Sequence, residues 1–408
     1  MLLALLGLDQ QTLAIASAAA RDPGHRVSIV CDLPAGAIAR LEAAGIRGIK
    51  PAPWESLMIA GSCDAVVVAS AGDVVQEEMR TEQLRKLVQE GVPLLVAHPV
   101  LASVLACYEI DMIRRESGGI VLPYLPARFS PTIPRIGERL RDPEKSPVGP
   151  IEQIIFERTA KDRSRRAVLA HFARDVDLIR TLTGDVLRVG VLASPNPQSA
   201  YANLTVQMSG DNAAVLRWSI LPAADTSGGE GSGVLKIVGK KGRLELHPPD
   251  DAASPQPTTE AELSDETVQA FDAPAAALER LSQAIELREP ATEWTEAIRD
   301  IELAEAIPRS LARGRTIEVQ HEQPTEEGTF KGLMTSLGCG LLLIGLAAIV
   351  VLAILDAVAN ANHWQRLSAI LRPWPWVMCG VFAAFLALQL LLRLTRPDDG
   401  PNDEQPRG

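Results

Sequence analysis

Short apolar runs alternate with amphipathic stretches along the first 125 residues of the chain. The apolar runs are Leu2–Leu6, Val27–Cys31, Asp64–Ala69, Leu94–Val96 and Ile120–Pro123. Continuously apolar runs of this length are typical of strands buried on both faces of a parallel sheet. The helical patterns between them, such as Thr12–Ala20, Glu77–Gln89 and Val104–Ser117, complete a βα alternation. Residues 1–125 are therefore predicted to form a doubly wound α/β domain of the Rossmann type.

The pattern changes after residue 125. One strand at Ile151–Arg158 and one helix at Val168–Leu182 precede a series of strands between Leu187 and Leu246, separated by turn residues. Two further helices, Pro274–Glu286 and Thr292–Arg313, follow. Consecutive strands without intervening helices favour antiparallel pairing. Residues 126–320 are predicted to form an α+β domain with an open, mostly antiparallel sheet.

The C-terminal part of the sequence is much more apolar. After a polar linker at 321–331, the segments Gly332–Leu355 and Pro375–Leu392 carry no charged residue. Each approaches or exceeds the length needed to cross a bilayer, about 20 residues. Residues 332–392 are therefore predicted to be a two-helix membrane anchor, followed by a polar tail at 393–408. A helical hairpin buried in a soluble domain is the alternative.

The basic residues around the two apolar segments indicate on which side of the membrane the body lies. Lys331, Arg393 and Arg396 flank the apolar pair, whereas Arg366 and Arg372 lie between its segments. This distribution weakly favours a body on the cytoplasmic side of the inner membrane.

The five cysteines show no C-x-x-C spacing, which argues against a disulfide framework or a zinc site and predicts no bound metal. The net charge of −11 argues against a nucleic-acid partner.

Candidate ligand-binding residues follow the predicted strands of the first domain. Gly7, Asp32, Ser70 and the pair His98-Pro99 stand at strand ends, where open α/β sheets bind ligands. Asp32 could bind a ribose hydroxyl or cap the following helix.

The turn after the first strand is atypical. It reads Gly7-Leu8-Asp9-Gln10-Gln11-Thr12 and keeps one glycine of a G-x-G-x-x-G fingerprint. Asp9 would repel a pyrophosphate there unless its side chain turns away.

Several stretches together resemble the Gfo/Idh/MocA family of oxidoreductases over residues 1–320. They are Trp54–Leu57 with Cys63–Ala69, Leu84–Pro99, Asp175–Gly184, Gly233–Leu246 and Trp294–Arg313. The resemblance implies an NAD(P)-dependent dehydrogenase of sugars or polyols. It also implies a sugar-like ligand and self-association through the open sheet.

The resemblance assigns roles to particular positions, and the chain departs from the family at several of them. The catalytic lysine of the Glu-Lys-Pro motif falls on His98, and Pro99 is kept. The catalytic histidine falls on Arg174, and a later aspartate is kept as Asp177. His98 could replace the lysine as a base or only line the cleft. Arg174 could bind an anion or pair with an acid of its own helix.

These departures lead to two functional hypotheses. The first is a catalytically degenerate, membrane-anchored homologue that acts as a binding or scaffold protein. The second is an active NAD(P)-dependent oxidoreductase whose site is rebuilt from His98, Arg174 and Asp177.

Overall fold

The computed structural model describes residues 1–194, 199–210, 214–223, 232–248, 256–258, 271–288 and 292–319, and the single positions 351 and 354. The chain divides into two units, Met1–His321 and Glu322–Gly408. Apart from positions 351 and 354, the two predicted membrane segments lie outside the described residues. Within the described part, no helix is long and apolar enough to cross a membrane. The following description concerns Met1–His321.

The first domain is built on a six-stranded sheet that is parallel throughout, with the order β3-β2-β1-β4-β5-β6. Its strands are β1 (Leu2–Leu6), β2 (Arg26–Cys31), β3 (Lys50–Pro51), β4 (Ala65–Val68), β5 (Leu94–Val96) and β6 (Val121–Pro123). Its helices are α1 (Gln10–Arg21), α2 (Ala37–Ala43), α3 (Val74–Gln89) and α4 (Val104–Ser117), with a 3₁₀ helix at Trp54–Met58. The Rossmann-type prediction is confirmed. The central strands β1 and β4 are almost fully buried, as their uninterrupted apolar sequences require.

The second domain contains an eight-stranded sheet with the order β13-β12-β11-β7-β10-β9-β8-β14. Its strands are β7 (Ile151–Ala160), β8 (Val186–Leu192), β9 (Thr205–Gly210), β10 (Val215–Pro222), β11 (Gly233–Gly239), β12 (Gly242–His247), β13 (Gln256–Thr258) and β14 (Ile317–Glu318). Among the described strands of this second sheet, only the β7–β10 pair is parallel, so the predicted mostly antiparallel sheet is confirmed. The helices are α5 (Pro126–Phe129), α6 (Ile133–Arg141), α7 (Arg165–Thr183), α8 (Ala273–Leu287) and α9 (Glu293–Arg313).

Helix α7 covers one face of this sheet. Phe172 packs edge to face on Trp218 of β10, with ring centroids 5.3 Å apart. The indole Nε1 of Trp218 donates to Asp175 at 2.8 Å, and Asp175 also pairs with the buried Arg158 of β7. The buried carboxylate therefore has charged and neutral donors, as burial of a charge requires.

The last two helices do not follow the sequence-based boundary at residue 125. Ala277 and Leu281 of α8 pack into the core that contains Ile15 of α1. Trp294 and Ile298, in the first half of α9, belong to the core formed by β4, β5, α3 and α4. Leu303 and Ile307, farther along α9, join the core of the second sheet. Helix α9 therefore holds the two sheets together.

Gly137 marks a close approach between α6 and α7. A methyl group at this position would lie 2.3 Å from the carbonyl oxygen of Thr181. We expect Gly137→Ala to lower the free energy of unfolding by about 1–3 kcal/mol, since the helices must separate to accommodate it. Urea unfolding measures this change. Glu138→Ala, an exposed position on the same helix, is the control and should change stability by less than about 0.5 kcal/mol; equal effects would contradict the packing argument.

Candidate ligand-binding crevice

The N-terminus of α1 is closed by its own capping residue. Asp9 Oδ1 accepts hydrogen bonds from the backbone N–H of Thr12 at 2.8 Å and from the Thr12 hydroxyl at 2.9 Å. The backbone N–H of Asp9 donates to Thr12 Oγ1 at 2.9 Å, which completes a capping box. Gly7 makes the preceding turn with a φ of 79°, and its N–H donates to the carbonyl of Cys31. The Asp9 carboxylate therefore does not turn away from the helix terminus.

The other carboxylate oxygen of Asp9 reaches the end of β4. Asp9 Oδ2 accepts from the backbone N–H of Ser70 at 2.8 Å, and the Ser70 hydroxyl donates to the carbonyl of Pro99 at 2.8 Å. These bonds join the ends of β1, β4 and β5. A helix N-terminus at this edge of the sheet is where the fold can bind a phosphate group. Here a carboxylate of the chain itself lies at that terminus and accepts from the N–H groups of Thr12 and Ser70.

Carboxylates also close the N-termini of α3 and α4. Asp73 caps α3 by accepting from the N–H of Gln76 at 2.8 Å. Glu77 Oε1 accepts from the N–H groups of Ala102 and Ser103, at 2.7 and 3.0 Å, at the start of α4. The N–H of Val104 donates to Glu305 of α9 at 2.9 Å. The helix N-termini that line the crevice therefore carry internal anions.

Arg80 of α3 lies behind the glycine turn. Its side chain is almost fully buried, and a Cβ atom at Gly7 would be 2.7 Å from its Nη2. Its Nε and Nη1 have no hydrogen-bond partner among the described residues. Burial lowers the pKa of Arg80, and the nearby Asp32 and Asp9 carboxylates oppose that shift. A buried guanidinium thus lies close to both acids.

Asp32 does not cap α2. The N-cap residue of that helix is Gly36, and no side chain caps it, so the capping interpretation of Asp32 is wrong. Asp32 adopts a φ of 49° and accepts from Gln83 Nε2 at 2.5 Å. Its side chain remains at the end of β2, where a ribose could be bound.

His98 is held by its backbone and buried by its neighbours. The Gln11 amide accepts from the N–H of His98 at 2.8 Å and donates to its carbonyl at 2.9 Å. The imidazole is 2% exposed, with Nε2 at 3.4 Å from the carbonyl of Ala173 and 3.5 Å from Asp300 Oδ2. Burial lowers the pKa of His98 to about 4. The side chain is therefore neutral at neutral pH. The His98–Pro99 peptide bond is cis.

Asp177 belongs to an ion-pair network and does not line the crevice. It accepts from Arg128 Nε at 2.6 Å, and Arg128 also pairs with Glu296 at 3.1 Å. Arg180 joins the same network by pairing with Glu296 at 2.7 Å and with Asp300 at 2.6 Å. Asp300 is fully buried, and that burial raises its pKa. The network links α5, α7 and α9 beneath His98.

A cavity of about 1120 Å³ lies between the strand ends of the first sheet and helices α7 and α9. Of the residues proposed from the sequence, Ser70, His98, Pro99 and Arg174 line it, whereas Gly7, Asp32 and Asp177 do not. Other lining residues include Gln11, Arg165, Arg166, Glu305 and Arg309.

Arg174 contacts two neighbours on its own helix that are not acidic. Its Nε donates to the carbonyl of Ala170 at 3.3 Å, and Nη2 lies 3.2 Å from His171 Nδ1. Asp175 and Asp177, the partners expected from the sequence, are bound by arginines of β7 and α5. Within the described ranges, no group of three or more His, Cys, Asp or Glu residues could hold a metal ion.

Comparison with solved structures defines the class of fold. A myo-inositol dehydrogenase homologue from Sinorhizobium meliloti aligns at 16% identity over 78% of this chain and 100% of that one, with a TM-score of 0.59. An aldose-aldose oxidoreductase from Caulobacter crescentus aligns at 17% identity over 78% and 99%, with a TM-score of 0.59. An Agrobacterium radiobacter oxidoreductase, solved with NAD⁺, L-tartaric acid and magnesium, aligns at 15% identity over 78% and 98%, with a TM-score of 0.56.

The described residues of Met1–His321 therefore have the fold of the Gfo/Idh/MocA-type oxidoreductases, as the sequence motifs predict. No protein-family model and no curated protein sequence matches the chain.

The lowered pKa of His98 predicts a pH dependence of stability. The unfolded histidine binds a proton near pH 6.5, whereas the folded one does so only near pH 4. The free energy of unfolding should therefore fall as the pH drops from 6.5 towards 4, by up to about 3 kcal/mol from this residue. Urea unfolding at pH 7 and pH 5 measures the loss.

The control for this measurement is His98→Gln. It should lose less stability between the two pH values than the natural protein does. His171, whose pKa is lowered to about 3 by burial, contributes equally to both proteins. Identical losses in the two proteins would contradict the assignment to His98.

Proposed function

We propose that the body of this protein is a ligand-binding module that uses the Gfo/Idh/MocA-type fold without NAD(P)-dependent hydride transfer. The observation that carries this proposal is the Asp9 carboxylate, which accepts the donors of Thr12 and Ser70 at the N-terminus of α1. Taken alone, the Asp9 carboxylate would repel a pyrophosphate about 4 Å away by about 4 kcal/mol per charge at an effective dielectric constant of about 20. The nearby Arg80 guanidinium offsets part of this repulsion, so the loss in affinity is smaller than the several hundred-fold that about 4 kcal/mol represents.

The acid–base groups support the same proposal. Hydride transfer from an alcohol needs a base for the hydroxyl proton and donors that polarise the oxygen. His98 is buried and fixed by Gln11, and Arg174 cannot act as a base at neutral pH. Asp177 is occupied by Arg128. Of the three residues proposed from the sequence, His98 and Arg174 line the cavity, but His98 is only 2% exposed and Arg174 is not a base at neutral pH.

An active oxidoreductase is the second candidate function. It is favoured by the large cavity, which His98 and Arg174 both line, and by similar structures such as the Agrobacterium oxidoreductase that bind NAD⁺. In that case His98 would receive the proton, Arg174 would polarise the substrate oxygen, and Gly7, Asp32, Ser70 and Pro99 would contact the cofactor.

The two functions are separated by the nucleotide content and activity of the purified protein. We expect no NAD(P) to be released when the protein is denatured and analysed by mass spectrometry. We also expect no formation of NAD(P)H across a panel of sugars and cyclitols. Bound cofactor together with turnover that His98→Ala abolishes would overturn the proposal and establish the second function.

We also propose that residues 332–392 anchor this body to the inner membrane, with the body on the cytoplasmic side. The support is the absence of charge in Gly332–Leu355 and Pro375–Leu392 and the excess of basic residues outside the pair.

The second sheet is proposed to mediate self-association. Its strand β7 alternates buried and half-buried residues, so one face is open to a partner.

The membrane proposal predicts the behaviour of two forms of the chain. The full chain should sediment with membranes and resist alkaline carbonate extraction, whereas a chain ending at residue 320 should stay in the supernatant. Immunoblots of the fractions measure this. Carbonate extraction of the full chain would contradict an integral anchor.

A further inference from the structure

Most cationic side chains around the crevice lie on one of its two walls. The wall formed by the first domain carries Asp9, Asp73 and Glu77, whose oxygens accept backbone N–H groups. The opposite wall, formed by α7 and α9, carries the guanidinium groups of Arg165, Arg166, Arg174 and Arg309. It also carries one acid, Glu305, whose carboxylate accepts from the N–H of Val104. Carboxylates of the chain therefore occupy helix N-termini of the first domain, and the arginines lie across the cavity from them.

Two of these arginines, both exposed, form no ion pair with the described residues. Arg166 donates to the carbonyl of Ala71 at 2.6 Å and lies 3.3 Å from Glu77, so it bridges the walls. Arg165 lies over the ring of Tyr201 at 6.0 Å, and Arg309 donates to the backbone carbonyl of Glu305 at 3.3 Å. In the part of the chain that the structure describes, neither Arg165 nor Arg309 pairs with a carboxylate.

The two arginines are placed at the same end of the crevice. Helices α7 and α9 run antiparallel, since Arg180 near the end of α7 pairs with Glu296 and Asp300 near the start of α9. Arg165 begins α7 and Arg309 lies near the end of α9, so both belong to the end of the helix pair opposite that network. Guanidinium groups are well suited to carboxylates and phosphates because they donate in a planar fork.

The rest of the cavity offers an apolar surface next to these cations. Leu101, Leu169, Ile301 and Ala304 line it. Polar side chains, Gln10 and Ser103, line it as well. A ligand with an anionic group and a hydroxyl-bearing carbon skeleton would meet the cations, the polar side chains and the apolar surface. A cavity of about 1120 Å³ is large enough for a small-molecule ligand.

We propose that the crevice binds an anionic derivative of a sugar or polyol, with its carboxylate or phosphate held by Arg165 and Arg309. This inference rests on the proposed function, in which the crevice binds a sugar-like ligand without a nicotinamide cofactor. It assigns the anion to the second domain, because the helix N-termini of the first domain are already closed by carboxylates.

The test is isothermal titration calorimetry on the full chain in detergent with a matched set of probes. The probes are glucose 6-phosphate, glucuronate, glucose and inorganic phosphate, each at the same pH and ionic strength. We expect one of the two anionic sugars to bind at least about tenfold more tightly than glucose and than inorganic phosphate. The comparison between the two anionic sugars shows whether the site prefers phosphate or carboxylate.

Charge-removing variants locate the site. Arg165→Gln and Arg309→Gln should each weaken binding of the preferred anionic sugar by about tenfold, since each removes one charge-assisted contact. Arg313→Gln is the matched control, because Arg313 is an exposed arginine of α9 that does not line the cavity. Unchanged melting temperatures of the variants verify that they fold.

Four results would overturn the inference: binding of none of the probes, equal binding of glucose, equal binding of inorganic phosphate, or unaltered affinity in the Arg165→Gln/Arg309→Gln double variant. An NADH titration of the same samples tests the proposed function separately. Anion selectivity together with NADH binding would refute only the cofactor-free proposal. Absence of both would refute only the anion site.

Discussion

The arrangement of the crevice depends on one carboxylate at one helix terminus. Asp9 caps α1 and holds the N–H of Ser70, and Ser70 holds the carbonyl of Pro99. The ends of three parallel strands are thereby fixed to each other by polar contacts instead of by a bound phosphate. The Asp9 carboxylate lies at the positive end of the dipole of α1 and accepts from the N–H groups of Thr12 and Ser70. In the proposed function, it occupies the position at which this fold can bind a phosphate.

Helix α9 connects the first domain to the second by packing against both. Its first half packs into the core of the first sheet, its second half packs into the core of the second, and Glu305 accepts from the start of α4. Asp300 lies at the centre, fully buried, paired with Arg180 and 3.5 Å from His98. The imidazole of His98 therefore lies next to a network of buried charges, and Gln11 holds its backbone. Breaking such a buried pair on one side costs far more than the pair contributes, since an uncompensated charge remains.

The sequence was sufficient for the fold and for part of the site. Uninterrupted apolar runs predicted the parallel sheet, and turn-separated strands predicted the antiparallel one. The capping function of Asp9 was also accessible, because Asp followed three residues later by Thr is a local pattern. In contrast, the bonds that Glu77 and Glu305 accept from backbone N–H groups at the start of α4 join residues 25 and 201 positions apart, so no local pattern indicates them.

The same limit applies to Asp177 and Asp32, whose contacts differ from those that the sequence suggests. Asp177 was expected to face the crevice because it matches a family motif, but its partner Arg128 lies on α5, a helix that the sequence pattern did not predict. Asp32 was a plausible cap, yet its positive φ and its bond to Gln83 of α3 depend on tertiary packing. Short polar side chains with several possible partners are decided by the fold and not by the local sequence.

The central claim is that the Asp9 carboxylate closes the dinucleotide site, and a calorimetric titration with NADH tests it most directly. The natural protein and Asp9→Ser should be compared, because serine keeps the helix cap and removes the charge. The account predicts no saturable binding to the natural protein up to about 1 mM and at least about tenfold tighter binding to Asp9→Ser. Micromolar binding to the natural protein, unchanged in Asp9→Ser, would contradict it.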